Sequence, residues 1–193
     1  MTMSAVVPQY ALRRDITTAG LRDVRRELRS SGSAATLTDV IVSGCAKALR
    51  EHPGVNASFA EDAVVEHERV NIGIALALDE GLHVPVVLDT DRLSVAALAA
   101  ERARVFEAAK SGMLHRDEVF GGTFTVSNLG PLGVESFQAL VLPPQAAILA
   151  LGAMRDMLAL TVSFDHRVVD GAPGARFLAT VARLLSEPQW VLE

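Results

Sequence analysis

The chain has 193 residues, half of them hydrophobic and 21% charged, which fits one domain with a sizeable core. Its formal net charge is −5 and no basic cluster stands out, so nothing suggests a nucleic-acid surface. No apolar run approaches the roughly 20 residues of a membrane span, no charged-then-apolar leader opens the chain, and Cys45 is the single cysteine; a cytoplasmic, reducing setting is expected.

Val6 to Ile16 reads as an extended lead-in. Thr17 and Thr18 are expected to cap a helix running to about Ser30, with Leu21, Val24 and Leu28 on its apolar face. A second helix covers Thr36 to Glu51, ends at Pro53-Gly54 and places Cys45 in the core. The period then changes to two. Ala63 to His67 is a strand candidate, and Val70 to Leu78 alternates before a turn at Asp79-Glu80-Gly81 into Leu82 to Leu88, the pattern of a hairpin. Pro85 belongs at an edge or bulge, because it cannot donate to a ladder. Ser94 caps a long helix, Val95 to Ser111, with Gly112 just past its end. Gly121-Gly122 opens a strand, Thr123 to Ser127, closed by the turn residues Asn128-Leu129-Gly130-Pro131. Phe137 to Leu142 and Ala146 to Met154 are expected as two further strands, separated by Pro143-Pro144. Arg155-Asp156 then turns into a strand, Leu158 to Phe164, followed by the stretch DHRVVDG and a helix from Pro173 to Leu185. This order of elements indicates an α+β fold, a mixed β-sheet with helices packed mainly on one face.

The chemistry concentrates in two polar islands. His166 lies where a strand ends, and four residues later Asp170 heads an Asp-Gly pair in which Gly171 can take the positive φ that such a turn often needs. A neutral imidazole near pH 7 can accept the proton of a thiol or alcohol nucleophile. Acyl transfer to that nucleophile passes through a tetrahedral oxyanion, which needs a hydrogen-bond donor. Ser127, at the end of a strand and followed by Asn128, is the candidate donor. The remaining histidines, His52, His67, His83 and His115, show no ligand-like spacing, so no metal site is expected. A serine hydrolase lacks support because no G-x-S-x-G elbow is present.

Taken together, DHRVVDG (165–171), GGTFTVSNLG (121–130), PPQAAILALG (143–152) and GLHVPVV (81–87) resemble the dihydrolipoamide acyltransferases, the catalytic cores of 2-oxo acid dehydrogenase complexes. The H-x-x-x-D-G element is shared with chloramphenicol acetyltransferases; the other three segments favour the dihydrolipoamide enzymes. The resemblance runs from about Pro8 to the C-terminus. It implies the chloramphenicol acetyltransferase-like two-layer α+β sandwich. It also implies a homotrimer, able to assemble further into cages, with active sites at subunit interfaces. There, coenzyme A and dihydrolipoamide enter one channel from opposite ends. His166 would be the general base, Ser127 of the adjacent subunit the oxyanion donor, and Asp170 a mainly structural member of the loop. Asn128 and Gly171 would lie on the substrate side.

Implied partners are a lipoyl-bearing or acyl carrier protein and a 2-oxo acid decarboxylase component. The lipoyl group would ride on another domain or protein, because residues 1–193 read as a single catalytic domain without a lipoyl or peripheral partner-binding domain. The segment between Gly152 and Leu158 is shorter than the family's usual hairpin. Transfer to a carrier-protein phosphopantetheine thiol, O-acetylation of a small hydroxylated compound, and a non-catalytic assembly core are the alternatives. Intact His166, Asp170 and Ser127 argue against the last.

Overall fold

The computed structural model describes residues 6–78 and 81–192. Strand β1 (Gln9–Thr17) leads into helix α1 (Ala19–Ser30) and helix α2 (Leu37–Glu51). A two-stranded hairpin follows, β2 (Ala57–Ala60) and β3 (Ala63–Glu66), turned by Glu61 and Asp62 with φ of 49° and 61°. Next come β4 (Ile72–Ile74), β5 (Leu76–Leu78), β6 (Gly81–His83), β7 (Val86–Val87), helix α3 (Val95–Lys110) and the short helix α4 (Arg116–Phe120). Strands β8 (Phe124–Asn128), β9 (Ala147–Leu151) and β10 (Met157–Asp165) precede the last long helix, α5 (Gly171–Ser186).

The main sheet has the order β1-β10-β9-β8-β4-β7. Strands β1, β10 and β9 pair antiparallel, β9–β8 and β8–β4 pair parallel, and β4–β7 is antiparallel, so the sheet is mixed. Alternation along β10 sorts its side chains to two faces. Leu158, Leu160, Val162 and Phe164 join the core with Leu21 and Val24 of α1, Val40, Ile41 and Leu49 of α2, and Phe177, Val181 and Leu185 of α5. Burial of each such side chain contributes about 1.5–3 kcal/mol. Ala159, Thr161, Ser163 and Asp165 face the other way, onto a surface crossed by the segment 134–145 rather than by helices. Ser163 Oγ donates to the Ala139 carbonyl (2.6 Å) and Thr125 Oγ1 to Gln145 Oε1 (2.7 Å). Helices on one face and irregular chain on the other give the two-layer arrangement.

Local signals account for most element ends. Thr36 and Asp39 form a capping box at α2; Asp39 is fully buried and also takes Arg102 Nε at 2.6 Å. Ser94 Oγ accepts the Ala97 N–H at the start of α3, and Gly112 has a φ of +69° beyond its end. Pro85 immediately precedes β7, which is an edge strand.

Other expectations are corrected. Thr17 belongs to β1, and Thr18 gives α1 no side-chain cap; its hydroxyl instead donates to the Arg155 carbonyl at 2.6 Å. Phe137 to Leu142 is not a strand. It crosses the polar face of the sheet, and its Val141 N–H is taken by the Gln9 side chain at 2.9 Å. The expected hairpin from Val70 to Leu88, by contrast, is present: β4 with β7 and β5 with β6 pair antiparallel in a single register, the first pair lying in the main sheet and the second extending beyond it. Two residues of its turn, Asp79 and Glu80, lie outside the described residues. Gly171 does not take a positive φ; it is the first residue of α5.

Candidate functional site

The His166 end of the sheet is built to hold one loop still. As β10 ends, the Asp165 carbonyl accepts both Val168 N–H (3.0 Å) and Val169 N–H (2.9 Å). The Asp165 carboxylate is almost completely buried and takes the Arg167 guanidinium in a two-pronged contact, 3.0 Å and 2.7 Å, plus the Arg167 backbone N–H at 3.0 Å. The guanidinium also lies 4.4 Å over the Phe59 ring of β2. Between these anchors, His166 N–H donates to the Pro8 carbonyl at 2.8 Å, where β1 begins. The backbone is therefore fixed from both sides, while the imidazole remains about half exposed, at 53%.

Tyr10 and Asp170 flank that ring. Tyr10 of β1 lies 4.8 Å away between centroids, tilted by 58°. Burial, with the Asp170 charge adding, pushes the Tyr10 phenol up to about 12. Asp170 occupies the N-cap position of α5 but makes no side-chain capping bond, and its Oδ1 is 3.6 Å from His166 Nδ1. That distance is beyond a hydrogen bond. Gly171 sits beside it with nothing within 4 Å of where a Cβ would be, so the approach at the helix start is open.

The Ser127 end is different. Ser127 is half-buried in β8, and its hydroxyl makes no hydrogen bond among the described residues. It pairs in register with Ala150, and Ala150 pairs with Thr161, so all three side chains share the polar face of the sheet. Thr161 comes five residues before His166. At ~3.3 Å per residue and ~4.8 Å between strands, Ser127 and His166 of one chain are roughly 19 Å apart. They cannot act on the same carbon from within one chain. Asn128 points to the opposite face: its Oδ1 accepts Gly130 N–H at 2.9 Å, and it lines a cleft of about 350 Å³ with Leu37, Ile41, Leu151 and Leu158. Asn128 thus lies on the face of the sheet away from the Ser127 hydroxyl.

One feature of the site was not apparent from residue counts. Arg22, Arg25, Arg26 and Arg29 recur at helical spacing on α1 and line one groove. Arg22 is engaged by Asp156, and Arg26 by Asp23. Arg25 and Arg29 have no acidic partner among the described residues. Both face a recess of about 290 Å³ that also includes Thr36, Thr38 and Asn128. The spacing R-x-x-R-R-x-x-R, from Arg22 to Arg29, was the available signal.

Comparison with known proteins identifies the chain's family and fold. The model described as 2-oxoacid dehydrogenases acyltransferase (catalytic domain) matches residues 1–193. The dihydrolipoyllysine-residue acetyltransferase component of the pyruvate dehydrogenase complex of Rickettsia felis is 35% identical over 204 residues, covering 96% of this chain and 50% of that protein. The chain thus spans about half the length of that curated relative. A solved dihydrolipoamide acetyltransferase from Azotobacter vinelandii superposes with a TM-score of 0.90 at 31% identity, covering all of this chain and 87% of that one. That structure was used to investigate a serine, a histidine and an asparagine in its catalytic mechanism, the last two four positions apart, like His166 and Asp170 here. Chloramphenicol acetyltransferase, at 12% identity and a TM-score of 0.61, shares the fold.

Proposed function

This chain belongs to the 2-oxoacid dehydrogenase acyltransferase family, and we propose that residues 1–193 form its catalytic domain, moving an acyl group between a lipoyl thioester and the thiol of coenzyme A. In this reading His166 removes the proton from the attacking thiol. The thiolate adds to the thioester carbon, and the oxygen gains the negative charge. Ser127 of a neighbouring copy donates a hydrogen bond to that oxyanion. Collapse expels the second sulfur as a thiolate, which takes the proton back from His166, so the imidazole ends neutral.

The observation that carries this reading is the contrast within the loop: a fixed backbone at 165–169 presenting a half-exposed imidazole. The sheet register supports the use of a second copy, since the two half-sites of one chain point to different places. A homotrimer closes three such interfaces with one kind of contact, and larger cages are a further step of the same proposal. Arg25 and Arg29 support a phosphate-bearing thiol carrier, because guanidinium pairs well with phosphate. The lipoyl group would arrive on another domain or protein, and a 2-oxo acid decarboxylase component would supply its acyl load.

The test is acetyl transfer between acetyl-coenzyme A and dihydrolipoamide by the purified chain. His166→Ala is expected to lower kcat by ~100-fold or more, the scale of a lost general base. Turnover close to that of the unaltered chain would remove His166 from the mechanism.

A further inference from the structure

The Tyr10 hydroxyl is buried and makes no hydrogen bond among the described residues. Burying a hydroxyl without a partner is unfavourable, so the contribution of this side chain must come from its ring. That ring stacks on Phe164 of β10, centroids 5.3 Å apart and nearly parallel at 22°. Phe164 in turn meets Phe177 of α5 edge-on at 6.3 Å, and Phe177 is completely buried. Tyr10 is thereby tied to the core through two aromatic contacts. Its position also depends on Gly174: a Cβ there would lie 2.6 Å from the Tyr10 hydroxyl and 3.1 Å from Phe164.

The same ring meets the His166 imidazole at 4.8 Å. Asp170 also stands near His166, at 3.6 Å, but it is 81% exposed and anchored by no capping bond. Unlike Asp170, Tyr10 is tied into the core. Resting on the reading of His166 as the base, we infer that Tyr10 is a positioning residue: its ring, set by Phe164 and by the space at Gly174, holds the imidazole in its reactive orientation. The hydroxyl is dispensable to this role. An unsupported imidazole on an exposed loop end would sample several rotamers, and misplacement by about 1 Å can cost ~10²-fold in rate.

The experiment compares four variants of the full chain in acetyl transfer between acetyl-coenzyme A and dihydrolipoamide, with kcat and KM measured separately. Tyr10→Phe keeps the ring and should stay within about twofold of the unaltered chain. Tyr10→Leu removes it and should lower kcat by about 10-fold to 100-fold with little change in KM. Gly174→Ala should lower kcat by pushing the phenol aside. Tyr10→Phe combined with Gly174→Ala should recover part of that loss, because the hydroxyl no longer occupies the space of the new methyl. The rescue remains readable even where Tyr10→Leu fails to fold. If Tyr10→Leu turns over normally while His166→Ala is inactive, or if Tyr10→Phe falls as far as Tyr10→Leu, the ring does not position the base. An active His166→Ala would overturn the reading of His166, and with it this inference.

Discussion

The two ends of the same sheet, one bearing His166 and the other Ser127, are built on opposite principles. At the His166 end, neighbouring chain segments converge on a loop of five residues: Pro8 just before β1, Phe59 of β2, and the buried Asp165–Arg167 pair. At the Ser127 end, a hydroxyl stands in register on a strand with no hydrogen bond among the described residues, while its neighbour Asn128 turns to the other face. At one end the backbone is fixed by the chain's own segments, and at the other a hydroxyl is left without a hydrogen bond among the described residues. In the proposed reading, these two ends become one site only when a second copy supplies the missing group.

Altering the supports at each end sharpens this contrast. Arg167→Ala leaves the Asp165 carboxylate buried without its counter-charge. Unfolding by denaturant should then show a loss of about 3 kcal/mol, the low end for a broken buried pair, because Arg167 is itself a third exposed. Acetyl transfer should fall with it as the loop loosens. A stability change near zero would mean the loop is held by its backbone bonds alone. Ser127→Ala should behave in the opposite manner, with an unchanged unfolding midpoint and a kcat lower by roughly 10²-fold, as for a lost oxyanion donor. A fall in stability with unaltered turnover would make Ser127 a packing residue. Asp170→Asn should have the smallest effect, kcat within about threefold, since an exposed contact beyond hydrogen-bond distance contributes little. The Azotobacter protein carries an asparagine at the same spacing from its histidine. A loss near 10²-fold would show that the carboxylate charge acts on the imidazole.

Much of the fold was legible because it rests on periodicity and end signals. The alternation of β10, the stripes of α2 and α5 and the Ser94 cap each reflect local physics that the long elements obey. The failures lie where tertiary contacts override local pattern. Phe137 to Leu142 has the composition of a strand, yet its backbone groups bond to the side chains of Gln9 and Ser163 instead of to a neighbouring strand. β2 and α4 are too short for a periodic signal. Gly171 reads as a turn glycine, but the helix begins at that residue.

The candidate site was legible in kind: His166, Ser127 and Asp170 lie at the element ends expected of them. What no single sequence displays is which residues converge on the imidazole. Tyr10 is 156 positions from His166, and only the antiparallel pairing of β1 with β10, with Gln9 opposite Asp165, brings it there. The arginine face of α1 was missed for a related reason: four charges spread over eight residues become one surface only when wound into a helix.

The shared site is tested most directly by complementation. His166→Ala and Ser127→Ala chains, each nearly inactive alone, are co-expressed or refolded together at equal amounts and assayed for acetyl transfer. If each site draws its imidazole from one copy and its hydroxyl from the next, about a quarter of the interfaces in a random mixture pair two intact residues, and activity should return to that order. A mixture no more active than its two components would mean that His166 and Ser127 do not meet across a subunit interface.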